Sequence, residues 1–71
     1  MPNEDDLRKV VAIIHSLVSG LRVTVWLKAP EGNELLTDEA VSTMDEAEAV
    51  ANRCAIAAGV PLHQVEIDQR R

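Results

Sequence analysis

Apolar residues in the first third of the chain recur with a helical spacing. Leu7, Val10, Val11, Ile14, Leu17, Val18 and Leu21 fall at i, i+3, i+4 and i+7, while Arg8, Lys9, Ala12, His15, Ser16 and Ser19 lie on the other side. Asn3 is placed as an N-cap, Glu4, Asp5 and Asp6 set negative charge against the positive end of a helix dipole, and Gly20 can supply a left-handed stop. The pattern predicts a helix over about 4–19. The β-branching of Val10, Val11, Ile13, Ile14 and Val18 favours a strand, but strict alternation fails because Val10, Val11 and Ile13, Ile14 would point both ways.

From Leu21 the period becomes two. Leu21, Val23, Val25 and Leu27 alternate with Arg22, Thr24, Trp26 and Lys28, which predicts a strand over about 21–28 with the aliphatic set facing the core. Ala29 to Asn33 reads as a turn around Pro30 and Gly32. A second strand follows over about 34–41; Leu35 and Val41 share one phase and Leu36 and Ala40 the other, a conflict that either a bulge or a strand that ends early reconciles. Thr43 to Glu46 fits the capping box, with Glu46 reaching back to the Thr43 amide, and opens a helix over about 44–58. Its inner arc is rich in alanine, and Gly59, Val60 and Pro61 stop it. A third strand, about 62–68, turns His63, Val65 and Ile67 to one face and Gln64, Glu66 and Asp68 to the other, with Gln69 to Arg71 as a frayed tail.

These elements predict an α+β chain forming a single small domain over residues 1–71, in the order α-β-β-α-β. A hairpin and a right-handed crossover give a three-stranded, antiparallel-type sheet of order 2-1-3, with both helices on one face. The other face is left open, and Arg22, Thr24, Trp26 and Lys28 are expected on it. Trp26 is the sole aromatic residue and stands in the phase that the core does not claim, which makes this face a candidate partner-binding surface. The competing reading has Trp26 lying flat across its neighbours, with Arg22 and Lys28 paired to Glu66 and Asp68.

Composition narrows the function classes. At 71 residues there is no room for a separate catalytic domain, and the single cysteine cannot make an internal disulfide, which fits a reducing compartment. No apolar run approaches the roughly 20 residues of a membrane span and the start is acidic, so a cytoplasmic protein is expected. Twelve acids against seven bases give a net charge of −5, concentrated between Lys28 and Arg53, where Glu31, Glu34, Asp38, Glu39, Asp45, Glu46 and Glu48 meet no base. Placed on one side, these seven carboxylates repel nucleic acid and attract a basic protein surface; the plainer alternative is a solubilising face.

His15, His63 and Cys54 lack second ligands at metal spacing, and the three glycines are isolated, so neither metal, cofactor nor catalytic residues are expected. Cys54 reads as a small core residue and His63 as a half-buried imidazole. The expected function is a non-enzymatic interaction domain, an inhibitor that occludes a basic or nucleic-acid-facing surface of a larger protein. Short acidic single domains of this type are common among phage and mobile-element inhibitors, including anti-CRISPR proteins, and the chain is similar to these in type, with no shared motif. The alternative is a homodimer associating through the open sheet face or an edge strand. Peptide or small-molecule binding at the sheet edge is the third option.

Overall fold

The structure is a computed structural model that describes residues 8–70. Its elements are β1 (Lys9–Leu17), β2 (Gly20–Ala29), β3 (Gly32–Val41), α1 (Met44–Ala58), a 3₁₀ turn (Leu62–Gln64) and β4 (Val65–Arg70). The strands form one mixed sheet in the order β3-β2-β1-β4, antiparallel except for the β1–β4 pair. This replaces the three-stranded, two-helix arrangement expected from periodicity. There is one helix among the described residues, and β1 stands where the sequence predicts a helix over about 4–19, inserted between β2 and β4. The cap assigned to Asn3, the acids Glu4 to Asp6, and Leu7 lie outside the described residues, as does Arg71.

The physical reason is that β1 is a central strand with apolar residues on both of its faces. Val10, Ala12 and Ile14 alternate towards α1 and are fully buried, while Val11 and Ile13 point to the opposite face, where their neighbours on β2 and β4 cover them in part. A central strand of this kind reads as a continuous apolar run rather than as an alternation. The β-branched residues suit it.

Two-residue loops, Val18–Ser19 and Pro30–Glu31, close the β1–β2 and β2–β3 hairpins, each followed by a glycine with positive φ, Gly20 and Gly32. The β2–β3 register skips Leu36 between the pairs Val25–Thr37 and Trp26–Leu35, so of the two ways to reconcile the phases of β3 it is the bulge that occurs, and the strand does not end early. The bulge turns Leu36 towards the core and Leu35 to the far side.

Helix α1 follows its sequence signals closely. The Glu46 amide donates to Thr43 Oγ1 at 3.2 Å, while the Glu46 carboxylate accepts from the Ser42 amide at 2.8 Å rather than from that of Thr43. At the other end Gly59 takes the left-handed conformation, its amide donates to the Ile56 carbonyl and that of Val60 to the Ala55 carbonyl, satisfying two otherwise orphaned carbonyls. Buried Ala47, Ala51 and Ala55 let the helix lie close on the sheet, whose Val10, Ile14, Val23 and Val25 supply the volume of the core. The last strand starts three residues later than periodicity suggests: Leu62–Gln64 is a 3₁₀ turn that leaves His63 exposed, outside the core phase expected for it, and Gln69 and Arg70 belong to β4 rather than to a frayed tail. No helix among the described residues is long and apolar enough to cross a membrane.

Candidate functional site

Because α1 covers one face of the sheet, strand alternation decides what the other face presents. Following the registers across β4, β1, β2 and β3, one row contains Glu66, Val11, Trp26 and Leu35, and the next Asp68, Ile13, Thr24 and Asp38. Beyond the second lies Arg70, His15, Arg22 and Ala40; beyond the first lie Lys9, Lys28 and Asn33. The uncovered face therefore gathers Val11, Ile13, Trp26 and Leu35 at its middle, with carboxylates on the edge strands and cations towards both strand ends.

Arg22, Thr24, Trp26 and Lys28 all lie on this face, as their strand phase requires. Trp26 is partly buried between its cross-strand neighbours Val11 and Leu35; Val11 is almost covered at 6% exposure, whereas Leu35 is 50% exposed. Three residues from separate strands thus build one apolar strip. Val11, Ile13 and His15 are not readable from the sequence as part of this face, because their segment has the periodicity of a helix.

Ion pairs frame the strip. Arg22 grips Asp38 with both prongs, Nε to Oδ1 at 2.7 Å and Nη2 to Oδ2 at 2.6 Å. Thr24 Oγ1 donates to the same carboxylate at 3.4 Å. Lys9 reaches Glu66 at 3.0 Å, and Arg70 holds Asp68 on its own strand at 2.9 Å. Lys28 makes no ion pair among the described residues. The expected partners of Arg22 and Lys28, Glu66 and Asp68, are instead used by Lys9 and Arg70, because β1 separates β2 from β4.

The hydrogen bond from Arg22 is the main reason the Asp38 carboxyl titrates below its ordinary 3.8, and the same contact raises Arg22. A carboxylate whose pKa falls on folding adds stability above the ordinary value, and that contribution disappears only as the pH drops through the lowered one, below 3.8. An NMR titration should place the Asp38 midpoint below 3.8, with Arg22→Gln moving it up; an unchanged midpoint in that variant removes Arg22 as the cause.

The seven acids between Glu31 and Glu48 do not share one side. Asp38 stands on the uncovered face, while alternation and the bulge put Glu34 and Glu39 on the helix side, where Glu39 accepts from Arg53 at 2.6 Å and from Thr37 at 2.8 Å. Glu31 is in the hairpin loop, Asp45 and Glu46 are in the first turn of α1, and Glu48 is exposed one turn further on. The result is a charge difference between the two sides. Lys9, Arg22, Lys28 and Arg70 outnumber Asp38, Glu66 and Asp68 on the uncovered face, whereas Arg8 and Arg53 on the helix side face Glu34, Glu39, Asp45, Glu46 and Glu48.

Cys54 is half-buried on the inner side of α1 and lines an open cleft of about 300 Å³ with Arg8, Leu27, Glu34, Leu36, Ala57 and Ala58. Burial pushes its thiol pKa up, away from the reactive thiolate. His15 is exposed between Arg22 and Arg70 on the sheet. Among the described residues no three His, Cys, Asp or Glu side chains converge to hold a metal ion. No family model matches the chain, and neither the curated proteins nor the solved structures searched contain a match to it.

Proposed function

We propose that the protein is a non-enzymatic interaction module that binds a larger protein through the uncovered sheet face around Trp26. The observation that carries this reading is the strip of Val11, Trp26 and Leu35, three apolar side chains meeting across strands on a face that no element of the described chain covers. A tryptophan flanked by apolar contacts and ringed by ion pairs has the composition of an interface centre and its rim. Two copies stacked face to face are a poorer fit. About either in-plane two-fold axis along or across the strands, a cationic end row meets a cationic end row, Lys9 and Lys28 at one end or Arg22 and Arg70 at the other.

A second reading uses the helix side. The carboxylates of Glu34, Asp45, Glu46 and Glu48 suit a basic partner surface, which is how an inhibitor of the phage or mobile-element kind, anti-CRISPR proteins among them, would occlude a nucleic-acid channel. The two readings separate by mutation. With a partner isolated from the source cells, Trp26→Ala should weaken binding about 30-fold or more, the cost of losing a central aromatic anchor. Changing Glu34, Asp45 and Glu48 together to Gln should then leave affinity within about threefold and alter mainly the association rate and its salt dependence. The reverse outcome, loss with the Gln triple variant and none with Trp26→Ala, assigns the contact to the helix side and overturns the sheet-face reading.

A further inference from the structure

The two edges of the sheet are defended unequally. Edge strand β3 carries the bulge at Leu36 and the acids Glu34, Asp38 and Glu39, all of which discourage another strand from pairing with it. Edge strand β4 has no bulge, and its two acids, Glu66 and Asp68, are each paired with a cation, Lys9 and Arg70. Val65–Arg70 contains no proline, glycine or lysine, keeps an unbroken register with β1 from Val10–Val65 to His15–Arg70, and leaves Ile67 37% exposed. Its outer row of amides and carbonyls faces no strand among the described residues.

We propose that two copies of the chain join edge to edge through β4, antiparallel, about a two-fold axis at Asp68, turning two four-stranded sheets into one sheet of eight. The register follows from the side chains. Residues that pair directly must share a face, so the axis falls on a residue rather than between two. An axis at Ile67 sets Glu66 opposite Asp68 of the second copy twice over, carboxylate against carboxylate. An axis at Gln69 leaves only residues 68–70 paired within the described strand. An axis at Asp68 pairs residues 66–70, sets Glu66 opposite Arg70 of the second copy on both sides, and brings the two Ile67 side chains into diagonal contact on the helix side. The two Asp68 carboxylates then meet at the axis, each already bonded by its own Arg70 at 2.9 Å, and Glu66 keeps one oxygen beyond the one that Lys9 takes. The dimer leaves both Trp26 faces open and joins them into one surface, so it is independent of the sheet-face reading.

Sedimentation or light scattering of the full chain across a concentration series tests this. The expected result is twice the monomer mass, with Arg70→Glu raising the dissociation constant about 30-fold by creating two like-charge pairs, and with the exchanged double variant E66R/R70E recovering the dimer. Trp26→Ala should leave the dimer intact. A chain that stays monomeric up to about 1 mM overturns the proposal, as does a dimer that survives Arg70→Glu or dissolves with Trp26→Ala. Should either charge variant fail to fold, Asp68→Cys in a Cys54→Ser background decides the matter: oxidation should link two copies at the axis, and failure to link them overturns the register.

Discussion

Truncating Ile14 to alanine should remove about half or more of the stability of the fold. Ile14 is among the largest fully buried side chains, stands on the central strand β1, and belongs to the single cluster formed with Val10, Ala12, Val23, Val25 and the alanine face of α1. Removing a buried isoleucine to alanine costs about 2–5 kcal/mol. A domain of this length has a total stability of about 4–10 kcal/mol, at its lower end when neither disulfide nor metal assists. With a urea dependence of about 1 kcal/mol per molar, the midpoint should fall by about 2 M or more, or the transition should be lost. The neighbouring substitution Ile13→Ala, on the uncovered and only partly buried side, should move the midpoint by less than half as much. Equal effects at the two positions would contradict the placement of Ile14 in the core and Ile13 on the opposite face.

That contrast also marks where the sequence stops being legible. Val10, Val11, Ile14, Leu17 and Val18 satisfy the spacing of an amphipathic helix, and a central strand with apolar residues on both faces produces no alternation to contradict it. What distinguishes the two is tertiary: β2 on one side and β4 on the other give Lys9–Leu17 two partners for its backbone. Missing that strand also misplaces β4, which lies beside β1 and parallel to it rather than beside β2. Features decided by local chemistry are readable. The phase of β2 follows from strict alternation and the span of α1 from Thr43 at one end and Gly59 at the other, while the conflicting phases of β3 narrow it to a bulge or an early end.

The candidate surface divides along the same line. Arg22, Thr24, Trp26 and Lys28 need only the alternation of one strand to be placed together. Their neighbours Val11 and Leu35 need, respectively, a correct first strand and the exact offset of the bulge. The acidic run shows the limit of reading charge along a chain. Asp38 and Glu39 are adjacent in sequence yet emerge on opposite faces, one held by Arg22 and the other by Arg53, so a block of like charge in the sequence becomes a difference in charge between two sides of the sheet.

Gly20→Ala should be the most damaging of the glycine substitutions, and the structure supplies its control. Gly20 and Gly32 both follow two-residue hairpin loops with nearly the same backbone, φ 149° and 140°, a conformation that costs an L-residue of order 1–3 kcal/mol. They differ in what a side chain would meet. A Cβ at Gly20 would stand 2.8 Å from the Val41 carbonyl oxygen, closer than packed atoms come, whereas at Gly32 nothing lies within 4 Å. The atom it meets is backbone and has little freedom to move: Val41 ends β3, pairs with Leu21, and is followed by Ser42 and Thr43, which cap α1. Relieving the clash therefore pulls apart the end of the β2–β3 ladder or disturbs the start of the helix. In urea unfolding Gly32→Ala should show the backbone cost alone, about 1–3 kcal/mol, and Gly20→Ala should exceed it by at least about 1 kcal/mol, the order expected for overpacking a tight contact. The loss of helix signal and of sheet protection in hydrogen exchange should be concentrated near Leu21, Val41 and the first turn of α1. Should the two variants prove equally stable, the close approach of Gly20 to Val41 is not a constraint on the fold, and the hairpin loops alone account for both glycines.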